Sequence, residues 1–194
     1  THSDAANQAL LAAINNFGGL DILISNAGAA HAGPMLDISN EELRNAFELN
    51  FFSHYSFSTE AAKILTDQNR GGQILFNISK QAVNPGKNFG AYGLPKATTF
   101  FLMRQLALEL GSDGIRVNGI NADRIRSGLL TDEFISSRAK SRGVSESEYM
   151  AGNLLNKEVT AEHVADAFTA LACAESTTGH VMTVDGGNIE ASLR

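Results

Sequence analysis

Cysteine is almost absent from this chain of 194 residues, which contains only Cys173. A single thiol cannot form a disulfide framework, and the first residues show no signal peptide, so we expect a cytoplasmic protein. Cys173 stands at helical spacing among apolar residues in LACAES, which predicts a buried structural thiol rather than a nucleophile. The five histidines are scattered without metal-ligand spacing, so no metal site is predicted.

Positive charge is also sparse. The chain has 15 Lys and Arg against 21 Asp and Glu, a net charge of −6, and no basic block. Because nucleic-acid binding needs clustered positive charge, a nucleic-acid partner is not expected. No apolar run approaches the ~18 residues of a membrane span. With 43% hydrophobic residues and three prolines, the composition is that of an ordinary globular domain.

Helical and strand patterns alternate along the chain. Caps and glycine stops predict helices from Ser3 or Asp4 to Gly18-Gly19, from a Ser39–Glu42 capping box onward, from Tyr92 to Leu110, and after Thr160. Short apolar runs predict the strands LDILISNAG, QILFNIS, GIRVNGINA and GHVMTVDGG. This alternation predicts an α/β fold, a doubly wound parallel sheet of Rossmann-like type.

A Gly-rich turn between an initial strand and helix is missing. The chain begins inside a helix, and its first strand, DILIS, reads as central although it would stand at a sheet edge. We therefore interpret residues 1–194 as one Rossmann-type domain lacking its N-terminal β-α-β units. At ~30 residues per unit, about 60 to 80 residues would precede Thr1.

The segment YGLPK places Tyr92 and Lys96 four residues apart, on one face of a helix. A phenol with a pKa near 10 is a poor base, and a neighbouring ammonium lowers that pKa. Such a pair alone occurs by chance in many helices. Pro95 lacks an N–H and disfavours a helical Leu94, so the helix is expected to begin close to Tyr92, with Pro95 in its first turn.

Other motifs surround this pair in a recognisable order. They are SNAG at residues 25–28, Asn50 in FELN, Ser79 in NIS, thirteen residues before Tyr92, and HVMTVDGG near the C-terminus. Together with YGLPK, they resemble the motifs of the short-chain dehydrogenase/reductase family over essentially all 194 residues. The resemblance implies an NAD(P)-dependent oxidoreductase that interconverts an alcohol and a carbonyl.

The same resemblance implies roles for individual residues. Tyr92 would be the acid/base, Ser79 would hydrogen-bond the substrate oxygen, Lys96 would lower the pKa of Tyr92 and bind the nicotinamide ribose, and Asn50 would hold a water linking Lys96 to solvent. NAD or NADP would be bound by Asn26, Ala27, Gly28, Tyr92, Lys96, Ile125 and Ser127. The choice between the two cofactors stays open, and polar residues 127–158 would form a substrate-loop insertion.

Two departures from the family pattern bear on the site. Lys80 stands where a second serine is common, so an alignment from that side would place Lys80 at the catalytic position; spacing favours Ser79. Ala122-Asp123 replaces a usual Pro-Gly. Asp123 and two following arginines indicate a polar substrate or a pocket rebuilt around charge, with a solvated loop as the alternative.

A narrower resemblance concerns SKQAVNPGKNFGAYGLPKA, NADRIRSGLLTDE and VDGGNI. These segments are similar to the dehydrogenase half of bifunctional aldolase/short-chain dehydrogenase proteins of deoxysugar breakdown. The implied substrate is small and polar or sugar-derived, such as lactaldehyde.

Apolar residues on more than one face of helices 40–66 and 92–110 agree with the family's assembly as a homodimer or homotetramer. The alternative function is a non-catalytic oligomerisation or regulatory module. We expect the 194-residue chain by itself to be inactive, with negligible NAD(P) affinity.

Overall fold

The computed structural model describes residues 4–30 and 32–188 of the chain. Seven α-helices and four β-strands lie there, with one or more helices between successive strands. Asp4 is the first N-cap, whereas Ser3 lies outside the described residues. The helices are α1 (Ala5–Phe17), α2 (Asn40–Phe47), α3 (Ser53–Gln68), α4 (Gly90–Leu110), α5 (Asp132–Arg142), α6 (Glu146–Met150) and α7 (Ala161–Cys173). The strands are β1 (Ile22–Ser25), β2 (Gly72–Asn77), β3 (Ile115–Ala122) and β4 (Val181–Val184).

The four strands form one parallel sheet in the order β1-β2-β3-β4. Strand β2 is central, and Ile74, Leu75 and Phe76 have no exposed surface, so both of its faces are covered. A strand buried on both faces has a continuous apolar sequence, as QILF does.

Helices pack on both faces of this sheet. Ile74 and Phe76 of β2 belong to one core cluster, with Leu65 of α3 and Met103 of α4. Leu75, which points the opposite way, belongs to a second cluster formed with α7. Alternate residues of this one strand therefore pack into hydrophobic cores on opposite faces of the sheet. The predicted doubly wound α/β fold is confirmed.

Strand β1 is the edge of the described sheet, as its place in the sequence predicts. It pairs with β2, and its Ile22 and Ile24 side chains are 41% and 51% exposed. An apolar edge strand of this kind is normally covered. The expectation that further β-α-β units cover it remains a prediction.

Helix α4 is the longest helix and differs from its predicted start. It begins at Gly90, two residues before Tyr92, so Pro95 lies in its second turn rather than its first. Proline is tolerated there although the Ala91 carbonyl receives no N–H from it. No helix in residues 4–30 and 32–188 is both long and apolar enough to cross a membrane.

The prediction of a buried Cys173 is wrong, because this thiol is exposed. Val164, Ala167, Phe168 and Leu171 of α7 form its buried face, with the spacing of an amphipathic helix. Cys173 follows Leu171 by two positions, which turns it to the opposite side of the helix.

Candidate active site

The candidate catalytic residues meet where the parallel strands end. Ser25 closes β1, Asn77 closes β2 and Ala122 closes β3, so the loops that follow all emerge at one edge of the sheet. The first turns of α4 lie against this edge. In open α/β sheets, ligands bind outside the carboxyl ends of the strands.

Tyr92 and Lys96 of α4 are both buried, with 8% and 2% of their surface exposed. The Lys96 Nζ lies 5.9 Å from the centroid of the Tyr92 ring and donates to the Asn77 carbonyl oxygen at 2.9 Å. Burial lowers the pKa of Lys96 to about 8. The ammonium therefore remains mostly charged at neutral pH but loses its proton more readily than an exposed lysine.

Ser79 lies beside the Tyr92 phenol on the turn that follows β2. A hydrogen bond with the Ser79 side chain lowers the pKa of Tyr92, but burial has the larger, opposite effect, so the pKa is raised overall. The charge on Lys96 is not among the causes of this shift, and the Lys96 ammonium donates to the Asn77 carbonyl oxygen; the expected effect of Lys96 on the pKa of Tyr92 stays a prediction. Tyr92 is therefore a protonated phenol, a proton donor, at neutral pH.

The backbone of Ser79 is strained, with φ 154° and ψ 151°. Side-chain-bearing residues rarely adopt this region, and such strain is concentrated at functional sites. The adjacent Lys80 points elsewhere, because its Nζ lies 3.2 Å from the Asp123 Oδ2. The geometry thus brings Ser79, rather than Lys80, to Tyr92.

Asn50 is almost fully buried in a π-helical turn, Glu48–Phe52, that interrupts the predicted long helix between α2 and α3. Its side-chain amide donates to the Ala29 carbonyl at 2.9 Å and accepts from the Ala29 N–H at 3.2 Å. Its own backbone carbonyl accepts from the Thr99 hydroxyl of α4 at 2.7 Å. Asn50 therefore joins the loop after β1 to α4, while its role in holding a water stays a prediction.

The loop after β1 passes close to this cluster because Gly28 has no side chain. A Cβ at Gly28 would lie 2.9 Å from the Asn50 Oδ1 and 3.6 Å from the Lys96 Nζ. Asn26, Ala27 and Gly28 are exposed at this point, and the Asn26 Oδ1 accepts from Asn77 Nδ2 at 2.7 Å. A flat group can therefore approach the loop backbone next to Lys96.

Ile125 and Ser127 lie on the loop after β3 and line the same cavity as Tyr92. The Ser127 hydroxyl donates to the Ile125 carbonyl at 3.2 Å and accepts from the Leu130 N–H at 3.4 Å. These bonds hold the loop in a compact turn. All the residues expected at the cofactor site thus surround one edge of the sheet.

His54 is a residue of this cluster that sequence reasoning missed. It is 1% exposed, with Nδ1 2.6 Å from the Ser25 hydroxyl and Nε2 3.4 Å from the Lys96 Nζ. Burial, together with the charge on Lys96, lowers its pKa to about 3. In the sequence it stands four residues after Asn50, but this spacing alone does not indicate its contacts.

The substitution His54→Gln is expected to reduce the acid sensitivity of the fold. The pKa of His54 is about 3 in the folded chain and 6.5 in a free histidine, so only the unfolded chain gains this proton at mildly acidic pH. Stability should therefore fall between pH 6.5 and 3, by about 2 kcal/mol at pH 5. Urea unfolding at pH 7 and pH 5 measures the change.

The control for this substitution is His180→Gln, because His180 is exposed. It should keep the full loss of stability between the two pH values, whereas His54→Gln should lose about 2 kcal/mol less than the unmodified protein. Equal losses in the two variants would contradict the buried, uncharged state of His54.

A cavity of about 380 Å³ opens next to Ser79 and Tyr92. The turn after β2, the loop after β3, and helices α5 and α6 all contribute residues to its lining. A capping box of Ser145 and Glu148 stabilises the start of helix α6. The segment 127–158 therefore supplies one wall of the cavity, as a substrate loop would.

Comparison with known proteins gives the family context of this site. A family model described as enoyl-(acyl carrier protein) reductase matches residues 1–188. An uncharacterized oxidoreductase of Bacillus subtilis, YuxG, is 35% identical over an alignment of 179 residues that covers 88% of this chain and 26% of the relative. The 7alpha-hydroxysteroid dehydrogenase of Escherichia coli K12 is 32% identical over 180 residues, 92% of this chain and 67% of the relative. The chain thus spans about a quarter of the first relative's length and two thirds of the second's.

Solved structures share the fold. Carveol dehydrogenase from Mycobacterium avium, in complex with NAD, superposes with a TM-score of 0.89 at 22% identity, covering 97% of this chain and 72% of that one. Acetoin dehydrogenase from Enterobacter cloacae superposes with a TM-score of 0.80 at 28% identity, covering 95% and 70%.

Proposed function

The chain belongs to the short-chain dehydrogenase/reductase family, and we propose that it carries the catalytic residues of an NAD(P)-dependent oxidoreductase acting on a small polar or sugar-derived substrate. The reaction interconverts an alcohol and a carbonyl. The observation that carries the proposal is the contact of Ser79 with a buried Tyr92 phenol, next to Lys96, at the mouth of one cavity.

Tyr92 exchanges the proton in this reaction. The phenol is protonated at neutral pH, since its ordinary pKa is near 10 and burial raises it further, and it donates to a carbonyl oxygen during reduction. The Ser79 hydroxyl donates a second hydrogen bond to that oxygen and fixes its position. The Lys96 ammonium, one helical turn away, stabilises the phenolate that remains.

A nicotinamide cofactor, NAD or NADP, supplies or accepts the hydride when it is bound. Asn26, Ala27 and Gly28 would hold it at the end of β1, where Gly28 permits close approach to the backbone. Lys96 would bind the ribose, and Ile125 and Ser127 would contact the carboxamide. Related solved structures contain NAD in carveol dehydrogenase and NADP in ElxO, which fits either cofactor.

The complete protein is expected to reduce NAD or NADP in the presence of a small diol, hydroxy-aldehyde or sugar alcohol. Nicotinamide absorbance measures this turnover across a substrate panel. Ser79→Ala should lower kcat by about 100-fold with the best substrate, since it removes a hydrogen bond to the reacting oxygen. The substitution leaves a methyl group of similar shape, so the fold should persist.

The matched variant is Lys80→Ala, which removes the contact with Asp123 but leaves Ser79 beside Tyr92. It should have a much smaller effect on kcat than Ser79→Ala. The reverse order would assign the catalytic position to Lys80. Cofactor binding without turnover of any alcohol in the panel would favour the non-catalytic alternative.

We also propose a homodimer or homotetramer formed through helices 40–66 and 92–110. Large apolar side chains of these helices are exposed: Phe52 at 44%, Tyr55 at 46%, Phe101 at 68% and Leu108 at 79%. Apolar surface of this extent commonly marks an interface. Sedimentation of the complete protein tests it, and a monomer at micromolar concentration would contradict it.

The Bacillus relative bears on the wider architecture. The chain matches 26% of that protein, so most of the relative lies outside the matched region. This proportion is compatible with a dehydrogenase unit joined to a second region, as in the bifunctional aldolase/short-chain dehydrogenase proteins. A lactaldehyde-like substrate accordingly belongs in the panel.

A further inference from the structure

The cavity beside Tyr92 is unusually basic for a protein with a net charge of −6. One acidic residue, Asp123, lines it, together with five basic ones: Lys80, Lys87, Arg124, Arg138 and Arg142. The imbalance is local, because basic residues are fewer than acidic ones in the whole chain. A concave surface lined by one sign of charge concentrates ligands of the opposite sign.

Two of the five basic side chains share the single carboxylate of the cavity. The Asp123 Oδ2 lies 3.2 Å from the Lys80 Nζ and 3.4 Å from the Arg124 Nε. It also accepts a hydrogen bond from the Asn188 amide. Asp123 therefore has no further capacity to balance the remaining positive charges of the cavity.

The other three basic residues, Lys87, Arg138 and Arg142, have no carboxylate within 4.0 Å among residues 4–30 and 32–188. Arg138 and Arg142 lie one turn apart on α5 and stack on aromatic rings. The Arg138 guanidinium carbon is 5.9 Å from the Phe89 ring centroid, and that of Arg142 is 5.3 Å from the Tyr149 ring centroid. Stacking fixes a guanidinium while leaving its N–H groups free at the edge.

Arg138 has an unsatisfied donor as well. Its Nε is buried and has no hydrogen-bond partner in the part of the chain that the structure describes. Buried donors are nearly always paired, so such an exception calls for an explanation. A guanidinium fork held in place, with a buried donor unpaired, matches the two oxygens of a carboxylate or phosphate.

We propose that the substrate is an anion, a small hydroxy or carbonyl compound whose carboxylate or phosphate binds Arg138 and Arg142, with Lys87 at the entrance. Its reacting carbon–oxygen group lies at Tyr92 and Ser79. The inference rests on the proposed oxidoreductase function and specifies the substrate class for the same cavity. A volume of about 380 Å³ accommodates a compound of this size.

The test compares three substrates that share one three-carbon secondary alcohol: propane-1,2-diol, lactate and propane-1,2-diol 1-phosphate. The complete protein should turn over at least one of the anions with a kcat/KM about 10-fold or more above that of the neutral diol. Preference for lactate identifies a carboxylate site, and preference for the phosphate ester identifies a phosphate site. Equal kcat/KM for all three, or preference for the diol, overturns the proposal.

Arg138→Gln should then lower kcat/KM for the preferred anion by about 10-fold to 100-fold more than for the diol, mainly through KM. Lys140→Gln, an exposed charge removed from the same helix, is the control and should leave the preference intact. If Arg138→Gln affects all three substrates equally, Arg138 only packs against Phe89. If it raises the cofactor KM instead, Arg138 binds a cofactor phosphate. Either result overturns the proposal.

Binding measured without turnover separates this inference from the proposed function. Titration calorimetry with lactate and with inorganic phosphate should detect binding of one anion to the complete protein, and Arg138→Gln should weaken it about 10-fold. Anion binding that depends on Arg138, with no alcohol turned over, would retain the site while refuting the oxidoreductase. Turnover of alcohols without anion binding would support the oxidoreductase function and refute the anion site.

Discussion

Replacing Tyr92 by phenylalanine is expected to lower kcat by about 100-fold to 10,000-fold, while the fold and cofactor affinity are retained. The phenol is the group placed to give a proton to the substrate oxygen, and its raised pKa keeps that proton available at neutral pH. Phenylalanine preserves the buried ring, of which 8% is exposed, and removes the hydroxyl alone. Steady-state kinetics and a cofactor titration measure the two quantities separately.

Tyr55→Phe provides the matched control, because it makes the same chemical change on α3, where the ring is 46% exposed. It should leave kcat unchanged. Retention of kcat in Tyr92→Phe would show that another group moves the proton. A loss of cofactor affinity equal to the loss of kcat would mean that Tyr92 acts in binding rather than in proton transfer.

The sequence was sufficient for the features that depend on local pattern. The apolar strands and the capping box at Ser39 led to the correct alternation of helices and strands because each signal lies within a few residues. The four-residue spacing of Tyr92 and Lys96 likewise placed them on one face of α4. These inferences needed no knowledge of which helix packs where.

Tertiary packing decided the features that the sequence did not reveal. His54 is significant because folding buries it between Ser25 and Lys96, and nothing in FFSHYS indicates those neighbours. The pKa of Tyr92 was expected to fall next to Lys96, but it rises because the phenol is buried. Both outcomes depend on desolvation, which local spacing does not determine.

The wall of the cavity is a further example. In SSRAKSR, Arg138 and Arg142 are indistinguishable from the charges of a solvated helix, although residues 127–158 were expected to form a substrate-loop insertion. Arg138 and Arg142 come to line the same cavity as Tyr92 because α5 packs beside the segment that follows β2. In this contact the ring centroids of Phe89 and Phe134 are 5.7 Å apart. The charge of the cavity is therefore a property of the fold, whereas the catalytic pair can be read from the sequence.

Lys96→Met is expected to abolish most of the activity and at the same time remove a destabilising charge. Methionine is unbranched and similar in length, so it occupies the buried space of the lysine side chain but carries no ammonium. We expect kcat to fall by about 100-fold or more, since the phenolate loses its nearby positive charge. The opposite effect on stability follows from the pKa of Lys96, which is about 8 in the fold against 10.5 in a free lysine.

The sign of the stability effect depends on which state holds the proton more tightly. The unfolded chain keeps it up to pH 10.5, so at pH 7 burial of the charged ammonium opposes folding by about 3 kcal/mol. This penalty shrinks as the pH rises through 8, where the folded lysine becomes neutral. The stability of Lys96→Met relative to the unmodified protein should therefore decrease by about 2 kcal/mol between pH 7 and pH 9.5.

Loss of the hydrogen bond to the Asn77 carbonyl affects this comparison little, because the variant lacks that bond at both pH values. Lys63→Met is the control: the Lys63 side chain is 68% exposed, and its contact with Glu60 lies on the surface of α3. Denaturant unfolding at the two pH values should show no comparable change for Lys63→Met. A pH-independent difference for Lys96→Met would mean that the ammonium is solvated, and the stabilisation of a Tyr92 phenolate by a buried charge would then have to be abandoned.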